Sequence, residues 1–235
     1  MEPVQKQKKI TIKFFLNRLL EPASGSKGEV YFPLYIQVTY NRKNMQLKSK
    51  YGLYYLNLEE VTPGLLEFEE KALRKVILYE AGQTLNDYEL KGLKHKYEIY
   101  STAIMEALEN YLKPKLRLAI LKTNDELTTV LDFQQSHATV ARLYKAAQLL
   151  FTGWEKHLTV KLKEELTAYE QYRKLIPEPY LTYTFPTLID WLDGSYKKEL
   201  ETTLKTHYKN KPEIIKSVKA LIEAAVNEKM KQLGA

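Results

Sequence analysis

The chain has no cysteine, which excludes disulfides, thiolate metal sites and cysteine nucleophiles. Glycine is scarce, nine in 235 residues. None falls in a G-x-x-x-x-G-K-[ST], G-x-G-x-x-G or G-x-S-x-G arrangement, so no local phosphate cradle or nucleophile elbow is encoded. The four histidines, His95, His137, His157 and His207, stand apart, with no H-E-x-x-H among them. They read as solvated or core side chains rather than ligands. No apolar run approaches the roughly 20 residues of a membrane span. The N-terminal stretch is basic and then apolar, but Lys13, Asn17 and Arg18 interrupt it and no small-residue cleavage site follows, so it is not read as a signal peptide. Taken together, these absences predict a cytoplasmic protein with no metal, no cofactor and no catalytic residues. Two acidic groups are the nearest approach to chemistry. Asp190 and Asp193 read as a solvated helix face, and Glu67, Glu69 and Glu70 as first-turn acids complementing a helix dipole.

Negative charge is also scarce, in one place only. Up to Tyr55 the chain carries ten lysines and arginines against Glu2, Glu21 and Glu29, and this difference equals the whole formal net charge of +7. Acidic and basic residues cancel over the rest. Charge of one sign collected on one segment attracts a polyanion, with nucleic acid the first candidate and an anionic surface or acidic partner the second.

The same segment alternates with a period of two. Ile10, Ile12, Phe14 and Leu16 oppose Thr11, Lys13 and Asn17, with Phe15 breaking the polar side. Phe32, Leu34, Ile36, Val38 and Tyr40 oppose Tyr31, Tyr35, Gln37 and Thr39. Met45, Leu47 and Ser49 oppose Gln46, Lys48 and Lys50. These are half-buried strands, the last two joined by a polar hairpin tip at Asn41–Asn44.

After Thr62-Pro-Gly64 the period becomes helical. Leu66, Leu73, Val76 and Ile77 predict a first helix ending at Gly82. A long helix is expected from Asn86 to Leu112, stopped by Pro114. Further helices are expected from a start at Asn124, over 137–174, from Pro186 to Leu192 ending at Gly194, over 195–208, and over 212–232 capped by Asn210. The fold class is therefore α+β: a small N-terminal three-stranded antiparallel sheet followed by a mainly α-helical body. Three regions are expected, a basic sheet module at 1–60, a helical hairpin at 61–114 and a helical bundle at 115–235.

The polar face of the sheet is the candidate site. It would show Thr11, Lys13, Tyr35, Gln37, Thr39, Gln46, Lys48 and Lys50, with Arg42, Lys43 and Asn44 at the tip. Cations suit phosphates, while amides and hydroxyls suit base edges. The competing reading is an ordinary solvated sheet face, with a helical bundle that holds a protein partner. Strands favour Thr and Tyr anyway, and lysine protects edges.

Four runs carry a resemblance: Ile10-Thr-Ile-Lys-Phe-Phe-Leu-Asn17, Lys27-Gly28-Glu29, Phe32-Pro-Leu-Tyr-Ile-Gln-Val-Thr-Tyr-Asn-Arg-Lys-Asn44, and Leu47-Lys-Ser-Lys-Tyr-Gly-Leu53. This pattern resembles the N-terminal arm-type DNA-binding domain of tyrosine recombinases, the integrases of phages and conjugative elements. Val61 stands where that family usually has a tryptophan after an acidic turn. The resemblance spans residues 9–110 and implies duplex DNA as partner, with a recombinase or other protein expected at the helical region. It does not extend to catalysis. No histidine begins a His-x-x-Arg element, and 235 residues are expected to be too few for both core-binding and catalytic domains. The implied function is non-catalytic DNA binding in a mobile-element setting.

Overall fold

A computed structural model describes residues 9–25, 28–84, 88–122, 138–176, 183–209 and 211–234. The expected helix starts at Asn86 and Asn124, the Asn210 cap and His137 lie outside them. The architecture is α+β, and the chain forms two compact units. One is built from the described residues between Met1 and Ser101 and between Pro179 and Asp193, the other from those between Thr102 and Glu178 and between Gly194 and Ala235. The contacts thus group around a division at Ser101, and a late segment of the chain returns to the first unit.

The first unit contains an antiparallel sheet. Strand β3 (Val30–Tyr40) lies between β1 (Ile10–Leu16) and β4 (Lys43–Lys48), and two-residue strands β2 (Ala23–Ser24) and β5 (Tyr54–Tyr55) pair with its first residues. The alternation predicted from sequence sets the faces. Leu34, Ile36, Val38 and Leu47 are buried, while their sequence neighbours Gln37, Thr39, Gln46 and Lys48 are half-buried or exposed. Helix α1 (Pro63–Gln83) continues past Gly82 and buries Leu65, Leu73, Val76 and Ile77. Leu65 packs with Leu34 and Val61, and Arg74 Nη1 donates to the Ile10 carbonyl at 3.0 Å, which fixes α1 to β1.

Gly52 marks the closest approach in this unit. A Cβ there would lie 2.7 Å from Leu34 Cδ2 and would collide with the Ser49 hydroxyl.

The expected helix from Asn86 to Leu112 is instead two. Helix α2 (Leu93–Tyr100) belongs to the first unit and α3 (Ile104–Leu121) to the second. The chain turns at Ser101 and Thr102, both buried, where Ser101 Oγ bonds the Tyr97 carbonyl. Serine and threonine offer the backbone such local partners, which favours a helix end over continuation. Pro114 sits inside α3 rather than after a helix. The burial of Leu108, Leu112 and Leu116 around it offsets the lost hydrogen bond and ring clash of an interior proline, which together cost about 3 kcal/mol.

In the second unit, α3 packs with α4 (Val140–Leu150), α5 (Val160–Arg173) and α8 (Pro212–Met230), and α8 also meets α7 (Ser195–His207). The single helix expected over 137–174 breaks at Gly153, whose φ of 75° is left-handed, before a short 3-10 turn at Trp154–His157.

The returning segment carries α6 (Leu188–Leu192) and closes the first unit. Phe185 and Tyr183 join Tyr51 and Phe68 in an aromatic cluster, the Phe68 and Phe185 rings 4.7 Å apart. The expectation of a solvated Asp190–Asp193 face is corrected here. The Lys75 ammonium of α1 lies 2.6 Å from Asp190 and 2.9 Å from Asp193, with all three side chains about a quarter exposed or less. Asp190 also accepts from the Thr187 amide and hydroxyl. Lys75→Met leaves two adjacent carboxylates without this cation and should lower the stability of the first unit by about 2 kcal/mol. Urea unfolding followed by fluorescence of Trp191, buried in the same segment, measures it. An unchanged midpoint would show that this ion pair does not hold the segment.

Candidate nucleic-acid interface

Pairing brings the predicted face together in rows. Thr11, Thr39 and Asn44 lie side by side, then Lys13, Gln37 and Gln46, then Phe15, Tyr35 and Lys48. Lys13, Asn44, Gln46 and Lys48 are exposed, and Thr11, Phe15, Tyr35, Gln37 and Thr39 are half-buried. The strands β1, β3 and β4 contain no acidic residue. Within the first row, Thr39 Oγ1 donates to Asn44 Oδ1 at 2.6 Å, which leaves the Asn44 amide nitrogen as the outward donor.

The hairpin tip is two residues long, since Tyr40 pairs with Lys43. Both tip residues have positive φ, 50° at Asn41 and 64° at Arg42. Such a turn matches the strand twist and is ordinarily filled by Asn-Gly. Asn41 follows that rule. Arg42 does not: it holds an exposed guanidinium on a left-handed backbone that costs a side-chain-bearing residue about 1 kcal/mol.

Two predicted residues stand apart from the face. Lys43 is ion-paired with Glu89 and holds that exposed carboxyl below its usual range by hydrogen bond and charge. Lys50 lies beyond the end of β4, and its ammonium donates to the Glu98 carbonyl of α2 at 2.8 Å. Partners 46 and 48 residues away are not legible from strand periodicity. Conversely, Phe15 and Tyr54 belong to the face and were not predicted for the site. Tyr54 pairs opposite Pro33, on the same side as Tyr35, and lies under the Lys48 ammonium at 5.1 Å from its ring centroid. The signal for Phe15 was its interruption of the polar alternation.

The turn that leaves β4 is held by Glu69, which corrects the first-turn reading of that residue. Glu69 lies well inside α1, is fully buried, and accepts from Ser49 Oγ (2.6 Å), the Lys50 amide (2.8 Å), the Tyr51 amide (3.3 Å) and the Tyr97 hydroxyl (2.8 Å). Glu70, expected in the same role, bonds Arg74 instead.

Elsewhere, a cavity of about 360 Å³ in the helical unit is lined by Tyr144, Glu155, Lys163, Thr167, Glu170 and Gln171. Two of these already have partners, Glu155 with Gln148 and Glu170 with Arg173. Among the described residues no three histidines or carboxylates gather as a metal site, and no helix is long and apolar enough to cross a membrane. Comparison of the chain with protein-family models, with curated proteins and with solved structures gave no match in any of the three.

Proposed function

We propose that this chain binds duplex DNA without acting on it chemically, through the exposed face of its N-terminal sheet. The setting proposed is cytoplasmic and integrase-like, in a mobile element and beside a recombinase partner. The observation that carries this reading is the acid-free face itself, with Lys13, Gln37, Gln46 and Lys48 in register and Arg42 at the tip. Three strands spaced about 4.8 Å apart make a blade about 10 Å wide, and a B-form major groove is about 12 Å wide. Lysines and Arg42 suit phosphates, and the two glutamine amides suit adenine edges. The placement of all the excess charge in this segment and the arm-domain resemblance support the same reading.

Arg42→Gly is the most selective test, because it separates folding from binding. Glycine relieves the left-handed backbone, so stability should rise by up to about 1 kcal/mol. Duplex affinity should fall, and the slope of log affinity against log salt, about −0.9 per phosphate contact, should flatten by about one contact. Fluorescence anisotropy on the full-length protein, with a thermal melt alongside, measures both. Binding that is insensitive to salt would remove the reading. Equal affinity for heparin and duplex would remove its DNA-specific part.

The second reading, a protein-interaction bundle, is favoured by Leu149, Leu150 and Val160, which are 77%, 61% and 74% exposed on the helical unit. A protein partner whose binding survives Arg42→Gly and is lost in Leu149→Lys would mark that role.

A further inference from the structure

The exposed sheet face changes character along β3. The two rows nearest the tip are polar: Thr11, Thr39 and Asn44, then Lys13, Gln37 and Gln46. Beyond them the face becomes aromatic. Phe15 and Tyr35 are directly opposed with ring centroids 6.0 Å apart, and Tyr54 follows beside Pro33 with 41% of its surface exposed. Cations border these rings, Lys48 over Tyr54 at 5.1 Å from its centroid and beside Tyr35 in register, with Lys13 one row away. The nearby Glu60 carboxylate is turned into its own loop, accepting from the Leu56 amide and Asn57 Nδ2.

A duplex offers base edges to a polar face and offers no base faces, because these are stacked on one another. Flat rings have little to exchange with base edges. They bind base faces, which are free only where bases are unpaired, and aromatic side chains among cations are the recurrent platform for single strands. The surrounding charge decides the occupant further. An apolar protein segment would gain nothing from Lys48 and Lys13, whereas a nucleic-acid backbone would.

We propose that Phe15, Tyr35 and Tyr54 form a stacking site for unpaired bases, so that the preferred ligand is a duplex continued by a single-stranded tail. On β3 the Gln37 row lies two residues, about 7 Å, from Tyr35 and the Thr39 row four residues, about 13 Å, so the duplex would end at the Gln37 row, where the rings begin. This rests on the duplex-binding reading for the polar rows.

The test uses the full-length protein with three labelled probes: a blunt duplex, the same duplex with a tail of about five thymines, and the tail strand alone. The tailed duplex should bind about ten-fold more tightly than the blunt one. Measured as the ratio of tailed to blunt affinity within each variant, that gain should be abolished by Tyr54→Ala and retained by Tyr54→Phe. Phe15→Leu, which keeps apolar volume in the sheet, should abolish the gain with no loss in melting temperature. If blunt and tailed duplexes bind equally, the stacking site is wrong and the duplex reading stands. A gain that survives both Tyr54→Ala and Phe15→Leu also overturns the site. If tailed and single-stranded probes bind and the blunt duplex does not, the stacking site stands and the duplex reading falls. Failure of all three probes removes both.

Discussion

Above about pH 10 both units are expected to unfold abruptly, with their buried phenols ionising in the same step. Three tyrosines of the first unit, Tyr88, Tyr97 and Tyr100, and two of the second, Tyr169 and Tyr172, are all buried. Burial pushes the Tyr88 phenol up to about 12. Burial first, and then the carboxylates of Glu69, Glu80 and Glu109, raise Tyr97, Tyr100 and Tyr169, while Tyr172 rises by burial and its neighbour Tyr196. A phenol in the unfolded chain loses its proton near pH 10. Folded pKa values above that mean the stabilisation is complete below about pH 10 and is lost as pH rises toward the folded values, over about 10 to 12 for Tyr88.

Each retained proton costs about 1.4 kcal/mol per pH unit, so the first unit should lose about 4 kcal/mol per unit and the second about 3. A domain stability of roughly 5–15 kcal/mol does not survive much of that. Lys75 adds to the slope with the same sign. Burial lowers its pKa, but hydrogen bonds and charges from Asp190 and Asp193 raise it overall, so its contribution also disappears in alkali. Phenolate absorbance should show exposed tyrosines titrating smoothly near pH 10 and the buried set in one later cooperative step. A smooth titration of all eighteen tyrosines with folded-state circular dichroism intact would contradict this account.

The tyrosine richness, conspicuous in the composition, has an internal use. Among the described residues four carboxylates occupy buried positions, and each accepts from a tyrosine hydroxyl: Glu69 from Tyr97, Glu80 from Tyr100, Glu109 from Tyr169 and Glu165 from Tyr111. Lysines complete three of them, Lys96 at Glu80, Lys113 at Glu109 and Lys115 at Glu165. Glu109 also takes the amide of Val140, one of the groups a helix start leaves unpaired. Such pairs were not legible locally. A carboxylate in a helical apolar stripe reads as a surface residue, and its partner lies 20 to 60 residues away.

The sheet was legible because its information is local. A two-residue period assigns each side chain to a face, and one slip would have turned Gln37 and Gln46 inward. The observed register instead pairs them beside Lys13. The helix breaks at Ser101–Thr102 and Gly153 were hidden by apolar spacing that continued through them, although both carry ordinary breaker residues. The loss of Lys43 and Lys50 from the face has the same origin as the hidden carboxylates, partners supplied by other elements of the fold.

Glu69→Ala is expected to destabilise the first unit by about 4 kcal/mol. The carboxylate is fully buried and its four partners, Ser49 Oγ, the Lys50 and Tyr51 amides and the Tyr97 hydroxyl, are neutral donors. Its removal leaves those donors buried without their acceptor, and each orphaned group costs about 1–3 kcal/mol when water cannot reach it. Ser49 cannot compensate by turning away, because its oxygen also accepts from the Gly52 amide at 2.6 Å. The turn at 49–52 would therefore loosen as a whole, and with it the exit of β4. Glu69→Gln is not conservative here. Its oxygen can keep the Lys50, Tyr51 and Tyr97 donors while its amide nitrogen turns to Ser49 Oγ, but bonds to a carboxylate become bonds to a neutral amide, so a loss of about 2 kcal/mol is expected. The Tyr97 hydroxyl would then bond a neutral oxygen instead of a carboxylate, so Tyr97→Phe should be less harmful in the Glu69→Gln background than alone. This coupling separates the hydrogen-bond account from simple packing. Urea unfolding followed by Trp191 fluorescence in a Trp154→Phe background isolates the unit, since the two buried tryptophans lie in different units. A loss below about 1 kcal/mol in Glu69→Ala would mean that water reaches these donors and that the carboxylate does not hold the turn.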